Sequence, residues 1–232
     1  CGDAPKNSYF DPLILHNNVF EKTKGYCTDV FFTQATKWIE ATKGKTPFFC
    51  YIPTNAPHDP LNCPPEYEAM YADKVKPNVA KFLGMVTNID DNVGRILAKL
   101  KEWELERDTL VIFMNDNGGT NGCSVFNANM KGQKVTAHNG GTRAMSLWRW
   151  PGALKPSAVN ALAAHVDIFP TLAELTNAKV PADVAANLEG FSLLPLLENP
   201  AAPWHDERIL VTHVGRWAVG GPPKKFGACS VR

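Results

Sequence analysis

The chain has 232 residues and a formal net charge of +1 at pH 7, and hydrophobic residues make up 44% of it. This length supports one sizeable domain, alone or with a small appendage. The balanced charge argues against a nucleic-acid-binding protein, and no apolar run reaches the roughly 18 to 20 residues that span a bilayer. No signal peptide opens the chain at Cys1, and the pattern breaks off at Arg232, so we expect a fragment of a longer protein.

The first 75 residues predict one helix and one strand. Residues 1–25 read mainly as loop, with a short strand or cap near 10–15. Helical spacing of apolar residues predicts a helix over 28–42, with Asp29 near its N-terminus. The aromatic run 47–53, bounded by prolines, predicts a buried strand.

The remaining elements alternate between loops, helices and strands. In chain order we predict a loop over 54–75, a long helix over 78–103, a strand over 109–114, a Gly/Asn-rich loop over 118–142, a strand over 144–150 and a helix over 158–177. Strands separated by helices favour parallel pairing and an α/β/α layering, and purely apolar strands fit a sheet covered on both faces. An edge strand over 208–213 opens a smaller α+β domain, so we divide the chain into 1–203 and 204–232.

Chemically capable side chains follow or precede these strands. In such a sheet, ligands bind beyond the carboxyl ends of the strands. His58 follows the first predicted strand, Asp116 and Asn117 follow the second, and Lys134 comes before the third. We therefore expect these four side chains at one edge of the sheet.

Asp116 and Asn117 are candidate metal ligands. A carboxylate and an amide oxygen suit a hard cation such as Ca²⁺ or Mg²⁺, but Ca²⁺ takes about 6 to 8 oxygens, so further ligands are needed. An ordinary Asp-Asn-Gly turn is the alternative. Lys134 is either an anion-binding point charge or a solvated surface lysine. His58 is either a proton donor to a leaving group or a loop histidine that caps backbone groups.

Three further features have weaker signals. Gly140 and Gly141 are either a backbone cradle for an anion or, as we favour, a plain turn. His165 and Asp167 lie at a predicted helix start, where capping is the favoured interpretation. His213 could face a substrate from the smaller domain.

The order of several segments resembles the type I sulfatases, in particular the arylsulfatase branch of the alkaline phosphatase superfamily. Asn-Ala-Pro-His-Asp-Pro at 55–60 is followed by Val-Ile-Phe-Met-Asn-Asp-Asn-Gly at 111–118, and Lys134 precedes Asn-Gly-Gly-Thr-Arg at 139–143. Further matching segments lie at 25–29, 150–152, 165–172 and 189–197. No single motif is decisive, but their shared order is hard to obtain by chance.

The resemblance implies an alkaline-phosphatase-like α/β/α fold, here partial, with the start of a smaller C-terminal domain. It implies hydrolysis of a sulfate ester by a formylglycine nucleophile with Ca²⁺. Asp116 and Asn117 fall on the metal ligands of the family, and Lys134 falls on its sulfate-binding lysine. His58 falls on the histidine that contacts the sulfate near the leaving oxygen.

Two departures from the family pattern stand out. Asn139 replaces the usual Glu before Gly-Gly, and the chain has no Cys or Ser followed by x-Pro/Ala-x-Arg, the motif that yields formylglycine. That motif and the paired aspartates of the metal shell are expected upstream of Cys1, so we expect the fragment to be inactive alone.

Two other classes of function stay open. One is a phosphodiesterase or phosphomutase of the same superfamily, and the other is a module that kept the fold without the chemistry. The substrate is expected to be a carbohydrate or aryl sulfate. A periplasmic or secreted location follows only from the resemblance.

Overall fold

The computed structural model describes residues 7–215, 219–222 and 226–232. Within them the chain forms seven α-helices and three two-stranded antiparallel sheets. The helices are α1 (Cys27–Thr42), α2 (Pro65–Ala69), α3 (Pro77–Glu102), α4 (Asn139–Thr142), α5 (Ile168–Leu175), α6 (Ala182–Ala185) and α7 (Leu194–Glu198). The strands are β1 (Leu13–His16), β2 (Val19–Lys22), β3 (Val111–Met114), β4 (Ser146–Arg149), β5 (Val211–His213) and β6 (Cys229–Val231). Short 3₁₀ turns lie at Asn121–Ser124 and His165–Asp167.

A hairpin of β1 and β2 occupies much of the segment that the sequence predicted as loop. Its turn residues Asn17 and Asn18 have φ values of 48° and 66°. Two consecutive positive φ values suit the two-residue turn that joins tightly twisted antiparallel strands, and asparagine tolerates them. The asparagine pair was therefore a turn signal that the sequence analysis did not use.

Helices α1 and α3 confirm the two long helices predicted nearest the N-terminus. The buried stripe of α3 differs from the apolar stripe that its spacing predicted, because Val86 is 41% exposed whereas Asn88 and Asn92 are fully buried. Both amides donate to the carboxylate of Asp29 on α1, at 3.0 and 2.7 Å. Asp29 thus joins two helices, in addition to lying in the first turn of its own helix.

The buried strand predicted at 47–53 is wrong. This segment has no strand assignment, and Phe49 and Tyr51 are 73% and 77% exposed. No strand among the described residues pairs with it, so its backbone lacks the ladder of hydrogen bonds that would make it a strand.

Strands β3 and β4 confirm the strands predicted at 109–114 and 144–150, but their parallel pairing was wrong. They are antiparallel, with Met114 opposite Ser146 and Val111 opposite Arg149. A parallel pair needs a crossover of a dozen or more residues, usually a helix. Only a 3₁₀ turn and one helical turn lie between them, so the chain returns along the same edge. Residues of β4 are mostly exposed, and the prediction of a sheet covered on both faces does not hold among the described residues.

The C-terminal part is more irregular than predicted. Helix α5 is shorter than the predicted helix over 158–177, and Pro170 lies in its first turn. Residues 158–164 form no helix. The predicted strand over 208–213 is present as β5, which pairs with β6. The division at residue 203 stays a prediction.

The largest hydrophobic cluster connects the N-terminal hairpin region, the loop around residue 58 and α3. Its buried members are Tyr9, Tyr26, Cys27, Ala56, Cys63, Met85 and Ile89, with Phe113 of β3 packed against them. None of the helices in the described part of the chain has the length and apolar character needed to cross a membrane.

Candidate functional site

The loop between β3 and β4, residues 115–145, carries three of the four main candidates, and we call it the site loop. Its ends are joined by the Asn115 amide, which donates to the Met145 carbonyl at 3.0 Å. Further in, Gly118 donates to Gly141 at 3.0 Å, and Lys134 donates to Gly119 at 2.9 Å. These backbone bonds bring the backbone of Lys134 close to the segment that holds the predicted metal ligands.

Close backbone approaches make glycine necessary in this loop. A Cβ atom at Gly118 would clash with the carbonyl of Gly140, and one at Gly140 would clash with the carbonyl of Gly132. The amides of Gly140 and Gly141 donate to Lys131 at 2.8 Å and to His138 at 2.9 Å. Both amides are already used, so the favoured interpretation, a plain turn, is confirmed over an anion cradle.

The side chains of Asp116 and Asn117 lie together and offer oxygen atoms of the kind that can bind a metal ion. Asn117 Nδ2 donates to Asp116 Oδ1 at 2.7 Å. No hydrogen bond among the described residues uses Asp116 Oδ2 or Asn117 Oδ1. Carboxylate and amide oxygens fit a hard divalent cation. In the described part of the chain, no group of three or more His, Cys, Asp or Glu side chains is placed to hold a metal.

Lys134 is half-buried, and its backbone position is set by the bond to Gly119. No ion pair among the described residues engages its ammonium group. A lysine ammonium group without a carboxylate partner can neutralise an anionic ligand as a point charge.

His58 is held by a different part of the molecule. Its carbonyl accepts a hydrogen bond from the Tyr9 hydroxyl at 2.9 Å, and its amide donates to Asn55 at 2.9 Å. Its Nδ1 lies 2.9 Å from the Asp59 carbonyl. Because a carbonyl only accepts, Nδ1 carries a hydrogen, and Nε2 is the nitrogen left for a further partner.

Tyr9 and Tyr26 are supporting residues that the sequence analysis missed. The Tyr26 hydroxyl donates to the Asn62 carbonyl at 2.9 Å, so the two tyrosines hold both sides of the His58 loop. Burial, with a smaller effect of the Asp59 charge, raises the pKa of Tyr9 to about 12, so its hydroxyl stays a donor. No hydrogen bond or ion pair within 7–215, 219–222 and 226–232 joins His58 to the site loop. The two are connected through the shared core, where Phe113 packs.

His165 contacts the site loop, and Asp167 is held in a buried network next to it in the chain. His165 Nε2 donates to the Asn115 carbonyl at 2.7 Å, next to Asp116, a contact that the capping interpretation did not include. Asp167 does cap, since its Oδ2 accepts the Ala164 amide at 2.7 Å. It also receives two hydrogen bonds from Arg208, at 2.7 and 2.9 Å, with both side chains buried. Nothing in the sequence could pair residues 41 positions apart.

His213 lies on β5, and its Nδ1 accepts the Gly215 amide at 2.8 Å. The hairpin of β5 and β6 reaches the site loop at Asn139, whose Oδ1 accepts a hydrogen bond from Arg232 at 2.6 Å. Asn139, which replaces the usual Glu of the family, thus provides an uncharged acceptor that connects the hairpin to the site loop.

Comparison with known proteins identifies the family of the chain. The sequence model of the Sulfatase family matches residues 2–178. The chain therefore belongs to the sulfatase family.

Several relatives show the extent of the match. A sulfatase of Formosa agariphila is 30% identical over 220 residues, which cover 88% of this chain and 40% of that protein. Arylsulfatase A of Homo sapiens is 31% identical over 164 residues, 68% of this chain and 30% of that protein. The chain spans about two fifths of the length of the first relatives it matches.

A solved structure confirms the predicted fold class. The crystal structure of Ps i-CgsB in complex with k-i-k-neocarrahexaose superposes with a TM-score of 0.75 and 31% identity. The match covers 84% of this chain and 43% of that one. The fold is the alkaline-phosphatase-like fold of the sulfatases.

Proposed function

We propose that this chain provides part of the active site of a sulfate ester hydrolase. The observation that carries the proposal is the hydrogen bonding of the site loop, which brings Lys134 to the segment holding Asp116 and Asn117. A cation next to hard oxygen donors suits a tetrahedral dianionic or monoanionic oxyester better than a neutral substrate.

Asp116 and Asn117 would hold Ca²⁺, or Mg²⁺ in its place. Their unused oxygens, Oδ2 and Oδ1, fit a hard cation, and the remaining ligands would come from parts of the protein outside these 232 residues. When bound, the ion would neutralise charge on the sulfate oxygens.

Lys134 would add positive charge at the sulfate. His58 would give a proton to the leaving oxygen from Nε2, since Nδ1–H is engaged by the Asp59 carbonyl. His213 is proposed as a substrate contact from the C-terminal hairpin. A formylglycine outside these residues would supply the nucleophile, because the chain has no Cys or Ser in the required motif.

The substrate is proposed to be a sulfated carbohydrate or an aryl sulfate. Relatives include an N-acetylgalactosamine-6-O-sulfatase of Bacteroides thetaiotaomicron and the human arylsulfatase A, whose names cover both classes. Membership of the sulfatase family favours sulfate over the phosphate esters of the related phosphodiesterases and phosphomutases. Export to the periplasm or the exterior is also proposed, as in the family.

The test compares Asp116→Ala with Asp90→Ala in the full-length protein, using 4-nitrophenyl sulfate and a sulfated disaccharide. Asp90 is an exposed carboxylate on α3, distant in sequence from the site loop. We expect Asp116→Ala to lower kcat/KM about 100-fold or more, with partial recovery at high Ca²⁺, and Asp90→Ala to leave it unchanged. Full activity in Asp116→Ala would contradict the metal role. Sulfatase activity of the 232-residue chain alone would contradict a nucleophile located outside it.

A further inference from the structure

His165 holds the peptide group that joins Asn115 to Asp116. Its Nε2 lies 2.7 Å from the Asn115 carbonyl oxygen, and because a carbonyl only accepts, Nε2 carries the hydrogen. The atoms of a peptide group, from one Cα atom to the next, lie close to one plane. The hydrogen bond from His165 therefore restrains the plane that ends at the Cα atom of Asp116.

This restraint acts where the ladder of β3 and β4 ends. The last paired residues are Met114 and Ser146, and the Asn115 amide then donates to the Met145 carbonyl at 3.0 Å. Among the described residues, the Asn115 carbonyl accepts no backbone hydrogen bond. His165 thus supplies the partner that a neighbouring strand would otherwise give to this carbonyl.

The turn that carries His165 is anchored by buried groups. It runs from His165 to Asp167, and Asp167 closes it by donating its amide to the Ala164 carbonyl at 3.0 Å and accepting the Ala164 amide at 2.7 Å. The fully buried Asp167 carboxylate also accepts the Phe191 amide at 2.9 Å and two hydrogen bonds from Arg208, at 2.7 and 2.9 Å. The exposed imidazole of His165 therefore extends from a backbone that is fixed from behind.

We propose that His165 is a positioning residue for the metal ligands Asp116 and Asn117. By fixing the peptide plane before Asp116, it limits the directions that the Asp116 carboxylate can take, so less conformational freedom is lost when Ca²⁺ binds. Residues that orient metal ligands without touching the metal typically change metal affinity or activity about 10- to 100-fold. The inference rests on the proposed function, because it takes Asp116 as a ligand of Ca²⁺.

The experiment compares His165→Ala, His165→Gln and His16→Ala in the full-length protein. Glutamine has an N–H donor as many bonds from Cα as Nε2 of histidine, so it can restore the hydrogen bond to Asn115. His16 is the matched control, because it is an exposed histidine of the β1–β2 hairpin that contacts Glu21 at 3.1 Å. Titration calorimetry measures the Kd for Ca²⁺, and thermal unfolding without Ca²⁺ measures stability. Hydrolysis of 4-nitrophenyl sulfate is followed over a series of Ca²⁺ concentrations.

We expect His165→Ala to raise the Kd for Ca²⁺ about tenfold, His165→Gln to stay within about threefold of wild type, and His16→Ala to leave it unchanged. Without Ca²⁺, the Tm of His165→Ala should stay within about 4 °C of wild type, since one exposed hydrogen bond is lost. At saturating Ca²⁺ its kcat should recover to within about threefold of wild type, because a higher ion concentration offsets a weaker affinity.

An unchanged Kd for Ca²⁺ in His165→Ala, or an equal rise in His165→Ala and His165→Gln, would overturn the positioning role. A large fall in Tm without Ca²⁺ would also overturn it, by showing that His165 supports the fold in general. If the wild-type protein binds Ca²⁺ but cleaves no sulfate ester, while His165→Ala still weakens Ca²⁺ binding, the proposed function fails and the positioning role stands. If all variants bind Ca²⁺ equally and cleave the ester, the proposed function stands and the positioning role fails.

Discussion

The two regions that carry the candidate residues are built in different ways. His58 lies in a region, residues 7–102, where buried apolar and aromatic side chains form one cluster and two tyrosine hydroxyls hold the loop. Asp116, Asn117 and Lys134 lie in the site loop, where Asp116 is exposed and the main contacts are backbone hydrogen bonds and close glycine approaches.

This difference predicts different responses to mutation. Removing one contact from a hydrophobic cluster lowers the free energy of unfolding only in part, because many neighbouring atoms share the packing. A backbone ladder with no room for a Cβ atom depends on individual positions. So does the buried Asp167–Arg208 pair, which lies outside both regions but adjoins the site loop through His165. The site loop should therefore be the more sensitive of the two regions.

The largest effect is expected for Arg208→Ala. This change leaves the Asp167 carboxylate buried without its ionic partner, which typically costs about 3 to 5 kcal/mol. The free energy of unfolding, measured by urea denaturation, checks it. Arg95→Ala in the 7–102 region is the control, because its ion pair with Asp29 is 61% exposed on the arginine side and should contribute within about 1 kcal/mol. Equal losses in the two variants would break the comparison.

An intermediate effect is expected for Gly118→Ala. The new Cβ would displace the Gly140 backbone, and such overpacking costs about 1 to 3 kcal/mol and should weaken the proposed Ca²⁺ binding. Gly94→Ala on α3 is the matched control, because a Cβ there meets nothing within 4 Å. In a helix this control should gain about 0.5 to 1 kcal/mol. Calorimetric Ca²⁺ titration and urea denaturation distinguish the two, and a Gly118→Ala variant as stable as wild type would show that the site loop adapts.

The smallest effect is expected for Tyr9→Phe, which removes the hydrogen bond to the His58 carbonyl and costs about 1 kcal/mol at neutral pH. Tyr51→Phe is the control, because Tyr51 is 77% exposed.

The same variant should change the dependence of stability on pH. Burial raises the pKa of Tyr9 from 10.0 to about 12, so the unfolded chain ionises first and the folded state loses stability as the pH rises from 10 to about 12. Tyr9→Phe should make this alkaline loss smaller, as followed by thermal unfolding across that range. An unchanged slope would mean that Tyr9 is not buried in solution.

Much of the local structure could be predicted from the sequence. The apolar spacing along α3 and the apolar run of β3 predicted both elements, because helical and extended periodicities depend on neighbouring residues. The strand predicted at 47–53 shows the limit of such patterns, since an apolar run becomes a strand only where a neighbouring strand supplies backbone hydrogen bonds. The antiparallel pairing of β3 with β4 was missed for a different reason: parallel pairing was inferred from helices elsewhere in the chain, although the connection between these two strands was itself predicted as a loop.

The order of chemically capable residues along the chain was determined by the sequence alone, and it was enough to indicate the sulfatase family. That the side chains of Lys134, Asp116 and Asn117 act together stays a prediction from that order. Only the tertiary structure decided how those residues are supported. The Tyr9 hydroxyl on the His58 carbonyl, the Asp167–Arg208 pair and the glycine contacts of the site loop each join positions far apart in the chain. Their contacts depend on how the chain folds back, which short-range periodicity does not encode.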